Sequence, residues 1–294
     1  MHADRPAQLV NALTVDVEDY FQVSAFAGPI APSSWDAREC RVERNVDRIL
    51  ALLAADGVKA TFFTLGWIAE RYPDLVRAIV DEGHEIASHG YGHERASDMS
   101  QARFYADVNL AKLILEDLSG CEVKGYRAPS FSIGAGNLWA FDSLVRAGYR
   151  YSSSVYPIRH DHYGMPESPR YAHRVRPELL EIPLTTMRLF ERNFPSSGGG
   201  YFRLLPYRVS RWMLRRVNRQ EGQAGIFYFH PWEIDTGQPQ IAGISRKARF
   251  RHYLNIHRME ARLKRLLSDF CWGRMDQIFL GAGAPGTASV AASA

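Results

Sequence analysis

Pro73-Asp74-Leu75-Val76-Arg77-Ala78-Ile79-Val80-Asp81-Glu82-Gly83-His84-Glu85-Ile86-Ala87-Ser88-His89-Gly90-Tyr91-Gly92-His93 is the stretch that decides the fold class. Proline at a first helical position opens a helix that runs to Asp81 and is closed at Gly83. Glu85 to Ser88 then reads as a short strand that delivers His89 to the loop beyond its end. Working outward, the same alternation continues. Leu9 to Val17 reads as a first strand. Glu43 to Ala55, with Val46, Ile49, Leu50 and Leu53 on one face, reads as a helix ended by Asp56-Gly57, and Lys59 to Leu65 as the next strand. Beyond His93, Gln101 to Leu118 is helical, Val123 to Ala128 a strand, Asn137 to Ala147 a helix and Tyr149 to Val155 a strand. Leu179 to Leu184 and Ile226 to His230 add two more strands. Units of about 30 residues predict an α/β fold of βαβ type. The Pro- and His-rich stretch between Tyr156 and Glu178 is too long for an ordinary connector and is expected to form a functional lip.

The bulk properties set limits. With 294 residues, 46% apolar and 12% aromatic, the chain can bury one substantial core. A net charge of +4 is mild and does not demand nucleic acid. Cys40, Cys121 and Cys271 are odd in number and lack CxxC spacing, which argues against a disulfide framework and a thiolate zinc site; reduced core residues are expected. The first residues, Met1 to Pro6, lack the basic and apolar regions of a secretory signal, and no apolar run approaches the roughly 20 residues of a membrane span. The expected location is cytoplasmic, with association at the inner membrane through partners compatible with it. Gly281 to Ala294, all small residues and proline apart from Val290, reads as a disordered tail outside the fold.

Asp16, His89, Arg127 and His230 each fall where a predicted strand gives way to a loop, the position from which parallel α/β barrels gather reactive side chains on one rim. His89 and His93 are four residues apart and can converge on one cation, with a carboxylate from Asp16-Val17-Glu18-Asp19 completing the donor set and an open position left for water. Whether Glu18 or Asp19 ligates depends on where the strand turns. Asp16 is the candidate base, balanced by Arg127. Pro129 fixes the chain so that the Ser130 amide can face an oxyanion. His230, at the end of an aromatic strand, is the candidate general acid. Trp232 and Tyr201 are candidates for stacking on sugar rings, and His84 is read as structural. Ser197-Gly198-Gly199-Gly200-Tyr201-Phe202-Arg203 lacks the ending and context of a P-loop and is read as a groove border. The basic helices around Arg208 to Arg219 and Arg246 to Arg265 are read as solvated faces.

From roughly Leu9 to Ile234 these motifs together resemble the polysaccharide deacetylases of carbohydrate esterase family 4, the NodB-homology domains. The branch associated with exosortase-A exopolysaccharide clusters is the most similar, through Asp16-Val17-Glu18-Asp19-Tyr20-Phe21, Tyr126-Arg127-Ala128-Pro129-Ser130-Phe131-Ser132 and Gly198-Gly199-Gly200-Tyr201-Phe202-Arg203. The resemblance implies a distorted (β/α) barrel of fewer than eight strands, in a domain over 1–280 with a family-specific extension from about 235. It further implies a divalent metal, zinc, cobalt or another transition ion, held by His89 and His93. Asp16 would be the base, oriented by Arg127, and His230 the acid. The substrate would be an N-acetylated polysaccharide or lipid-linked oligosaccharide. Two positions depart from the family pattern. Val17 follows Asp16 where a metal-binding aspartate is usual, so Glu18 and Asp19 compete for that role. The acid that tunes the catalytic histidine is missing from Tyr151-Ser152-Ser153-Ser154, with Asp161 as a substitute. Hydrolysis of a small amide or formamide, and glycan binding without turnover, are the alternative readings; oligomeric state is not set by the sequence.

Overall fold

A computed structural model describes residues 9–160 and 163–281. Its centre is a curled, mostly parallel sheet built from β1 (Val10–Val17), β2 (Thr61–Thr64), β3 (Glu85–Ser88), β4 (Gly125–Tyr126), β5 (Tyr151–Ser152), β6 (His173–Arg176), β7 (Leu179–Glu181) and β10 (Ile226–Phe229). The strand order is β10-β1-β2-β3-β4-β5-β7-β6, parallel throughout except where β6 turns back on β7. β10 and β6 stay at opposite ends, so seven parallel strands form an open barrel. The α/β expectation and the barrel of fewer than eight strands both hold. β11 (Cys271–Gly273) lies along Val10–Ala12, the part of β1 that precedes the pairing with β2 at Thr14. β8 (Thr186–Leu189) and β9 (Arg192–Pro195) form a separate hairpin.

β2, β3 and β10 are buried along their whole length, as parallel strands covered on both faces must be. The helices that cover them are amphipathic for the reasons read in the sequence. Helix α1 (Val42–Ala55) buries Val46, Ile49, Leu50 and Leu53 and is followed by Gly57 at φ +62. Helix α2 (Gly66–Arg71) leads into α3 (Pro73–Asp81), with proline at its first position. Helix α4 (Gln101–Ser119) is capped by the Ser100 hydroxyl, which accepts from the Arg103 amide, and stops at left-handed Gly120. Helices α5 (Trp139–Arg146), α6 (Gly199–Leu204), α7 (Tyr207–Gln220), α8 (Arg246–Tyr253), α9 (Met259–Asp269) and α10 (Met275–Leu280) complete the set.

Several expectations are trimmed. The strands read over Val123–Ala128 and Tyr149–Val155 shrink to two residues each, because the chain leaves the ladder early to carry Arg127 and Ser153 inward. The long connector after Tyr156 contains β6, whose His-Arg-Val-Arg sequence offers no apolar alternation to betray it. Cys121 and Cys271 are exposed rather than core residues, and Cys40 is half-buried. Residues 282–294, most of the predicted tail, lie outside the described residues, as does Asp161.

Candidate active site

β1 leaves the sheet through a tight turn in which the Glu18 amide donates to the Asp16 carbonyl (3.0 Å). Asp16 and Glu18 are both buried on the side that a two-residue period assigns them. Asp19 is turned away, and this corrects its candidacy as a ligand. Its Oδ2 accepts from the Val42 amide (2.8 Å), the Arg41 amide and the Cys40 thiol (3.1 Å), while Oδ1 accepts from the Tyr20 amide (2.7 Å). The carboxylate therefore sits on the positive end of α1.

His89 follows β3 directly. Its Nδ1–H donates to the Arg127 carbonyl (2.8 Å), since a carbonyl can only accept, and this leaves the Nε2 lone pair free for a cation. The loop to His93 is held from outside: Asp107 of α4 accepts the Tyr91 amide (3.0 Å), and a Cβ on Gly90, at φ +77, would come within 2.8 Å of that carboxylate. The chain reaches His93 in the left-handed region, φ +54, an unusual conformation for a residue with a side chain. His93 Nε2 lies 2.6 Å from Glu18 Oε2, yet that oxygen, buried, makes no hydrogen bond. One nitrogen of each histidine and one oxygen of Glu18 all lie within 4.8 Å of one another. A buried carboxylate oxygen without a hydrogen-bond partner beside two imidazoles fits a divalent cation. Burial pulls the His89 imidazole down to about 4, so it is neutral and able to ligate at neutral pH. For Glu18 burial acts to raise the carboxyl, but His93 and His230 outweigh it and hold the group well below the usual carboxylate range.

Arg127 is fully buried and spends its guanidinium on the rim. Nη1 donates to Asp16 Oδ1 (2.6 Å) and Thr14 Oγ1 (2.7 Å), Nε to the Ser153 carbonyl (3.2 Å) and Nη2 to Ser153 Oγ (3.1 Å). Its flat face covers the Phe63 ring at 4.0 Å. Ser153 is steadied in turn by Glu181, whose Oε1 accepts the Ser154 and Val155 amides (2.9 and 2.8 Å). Tyr151 to Ser154 thus serves the arginine. Ser130 and Phe131 both adopt left-handed conformations, φ +54 and +51. Ser130 Oγ bonds to Ser24 Oγ (2.7 Å), and its amide has no hydrogen-bond partner among the described residues.

His230 closes the site from β10. Its Nε2 lies 3.5 Å from Glu18 Oε1 and 3.9 Å from Asp16 Oδ2, and its Nδ1 lies 3.3 Å from Glu233 Oε2. Burial alone would lower this imidazole, but the charges of Glu18, Glu233 and Asp16 together raise it to about 9. Glu233 in turn accepts Arg203 Nε (2.8 Å); burial would raise its carboxyl, and Arg203 with His230 brings it down to about 2. Trp232 donates Nε1–H to Glu18 Oε1 (3.0 Å) and stacks on His230 and His252, ring centroids 5.1 and 4.1 Å away. At 5% exposure it has no face left for a sugar, so that expectation is withdrawn. Tyr201 is half-buried. The sequence reading missed Glu233 and Arg203. The spacing His230 to Glu233 at the start of a helical turn is a capping-box signal that would have found the first; the second has no local signal.

Residues 31–152 match the family described as polysaccharide deacetylase, and residues 153–280 match a second family, DUF3473, described as a domain of unknown function. A peptidoglycan deacetylase of Helicobacter pylori is 32% identical over 119 residues, 38% of either chain. A peptidoglycan-N-acetylglucosamine deacetylase of Bacillus cereus is 37% identical over 82 residues, 28% of this chain and 30% of that one. The match thus spans only about a third of the length of these curated relatives. The crystal structure of a candidate polysaccharide deacetylase from Mycobacterium smegmatis superposes with a TM-score of 0.60 at 21% identity, covering 94% of this chain and 91% of that one, which establishes the fold. Over residues 31–152 the chain is thus similar to the polysaccharide deacetylases.

Proposed function

We propose that this chain is a metal-dependent N-deacetylase of amino-sugar residues, acting on an exopolysaccharide or its lipid-linked precursor of the exosortase-A type. The observation that carries the reading is the meeting, at one rim, of a Glu18–His89–His93 donor set with an arginine-bound aspartate and a half-buried histidine. Glu18, His89 and His93 would hold the cation, zinc or cobalt by the mixed nitrogen and oxygen donors, and it would supply Lewis acidity and lower the pKa of water.

The chain's own residues do the rest. Asp16 accepts the proton of the attacking water as its oxygen bonds to the acetyl carbon, with Arg127 fixing the carboxylate and balancing its charge. The Ser130 amide donates to the oxyanion. His230 gives its Nε2 proton to the nitrogen as the C–N bond breaks, and acetate and a free amine leave. Among the described residues no helix is long and apolar enough to cross a membrane.

The test is acetate release from defined N-acetylated oligosaccharides, with and without a chelator, by the wild type and by His89→Ala. The expected result is chelator-sensitive release that grows with chain length, and loss of both bound metal and activity, by about a thousandfold or more, in the variant. Full activity with metal retained in His89→Ala overturns the reading. Release indifferent to chain length points instead to small amides, and oligosaccharide binding without release in the presence of zinc or cobalt points to a glycan-binding protein.

A further inference from the structure

We infer that the segment 153–280, which matches a family described as a domain of unknown function, supplies the proton-donating half of the site, with Glu233, locked by Arg203, as the positioning residue of His230. This rests on the deacetylase reading and gives that segment a role in it. His230 faces two ways. Nε2 looks toward Asp16 and Glu18, where substrate would lie, and Nδ1 toward Glu233. With Nδ1–H donated to a carboxylate, the mobile proton is confined to Nε2. The electron pair of the breaking C–N bond goes to nitrogen, the nitrogen takes the Nε2 proton, and Glu233 stays ionised.

Three separated pieces of sequence build this arrangement. Glu233 Oε2 accepts the His230 amide (3.0 Å) as well as facing its ring, so backbone and imidazole are fixed by one atom. Glu233 Oε1 accepts Arg203 Nε, and Arg203 is itself immobilised by donating to the carbonyls of His252 (2.8 Å), Leu254 (2.6 Å) and Arg251 (3.1 Å). The glycine-rich stretch then acquires a reason. A Cβ on Gly199 would stand 1.8 Å from Glu233 Oε2, and one on Gly198, at φ +97, 2.4 Å from the Tyr228 ring. Gly199 clears the space that the carboxylate fills, and Gly198 the space of the Tyr228 ring. A carboxylate serving only to cap the turn after His230 would not need a buried guanidinium tied to three carbonyls.

The experiment compares Glu233→Gln and Glu233→Asp with wild type on two probes, an N-acetylated oligosaccharide and 4-nitrophenyl acetate, whose phenolate leaves without a proton. A positioning role predicts that the ratio of amide to ester kcat falls at least tenfold in Glu233→Gln, with KM for the oligosaccharide changed less than threefold. Glu233→Asp should recover part of the loss. Long-range nitrogen NMR, read at a pH high enough for the ring to be neutral, should find His230 as the Nδ1–H tautomer in wild type and a mixture in Glu233→Gln. An unchanged ratio together with an unchanged tautomer overturns the inference. A wild type inactive on both probes overturns the deacetylase reading instead, and the tautomer still decides whether Glu233 holds His230. Should Glu233→Gln not fold, the Glu233→Gln, Arg203→Met pair, which leaves neither charge buried alone, carries the same measurements.

Discussion

The two ends of one sheet treat buried polar groups in opposite ways. At the floor, where the strands begin, such groups close on each other. Glu85 accepts from Thr61 Oγ1 (2.6 Å), the Tyr151 hydroxyl (2.9 Å) and the Asp276 amide (3.0 Å). Asn11 exchanges hydrogen bonds with Asn218 and accepts the Gly225 amide (2.8 Å). At the rim, where the strands end, groups are held firmly from behind and left open in front. Glu18 Oε2 is unbonded, the Ser130 amide is unpaired among the described residues, and His93, Ser130 and Phe131 are all left-handed. Even histidines divide along this line. At the floor, burial, with Lys59 and Arg274 nearby, lowers His84 to about 4, whereas three carboxylates bring His230 at the rim to about 9. Incomplete satisfaction aimed at a shared space marks chemistry, and mutual satisfaction marks stability.

The largest break of that contrast is Arg127→Met. It strands Asp16 as an uncompensated buried charge, and a loss of about 3–5 kcal/mol in urea unfolding is expected together with loss of acetate release. Asp16→Asn combined with Arg127→Met removes both charges, and should regain much of the stability but none of the activity. If the double variant recovered activity too, the rim charges would be structural, like those of the floor.

A smaller effect is expected behind the donor set. Asp107→Asn keeps the shape of the side chain but places an amide donor near the Tyr91 amide it must accept. The loop carrying His89 and His93 should loosen, with zinc affinity of the metal-free protein, measured by calorimetry, falling about 10- to 100-fold. Unchanged affinity would mean that the loop needs no support from α4.

The order of elements was readable because Pro73, Gly83 and Gly57 punctuate apolar runs of distinct period, and the rim was readable because its residues fall at strand ends. What escaped depends on three-dimensional routing. Glu18 and Asp19 are adjacent in sequence, and only the turn at Asp16 sends one to the cluster and the other to the N-terminus of α1. Arg203 and Glu233 are separated by an intervening helix and strand, and their pairing shows only when Gly199 lets the two approach. β11 is three residues long and owes its place to the stretch of β1 that β2 leaves open.

The smallest and most selective change belongs to the floor. His84 Nδ1 accepts the Ala60 amide (3.0 Å), and burial keeps the ring neutral down to about pH 4, against about 6.5 for an exposed histidine. The unfolded chain therefore binds a proton below about pH 6.5 that the folded chain refuses until about pH 4. The stability this contributes is complete above about pH 6.5 and is lost as pH falls toward 4, on the order of 2 kcal/mol. In His84→Asn the side-chain oxygen replaces Nδ1 as acceptor and nothing titrates. Unfolding free energies from urea titrations at pH 7 and pH 5 should differ less in the variant than in wild type, by about 1 kcal/mol, while acetate release at pH 7 stays unchanged because no rim residue has moved. An acid limb identical in the two proteins would remove His84 from the account of stability, and a loss of activity would show that floor and rim are not the independent ends described above.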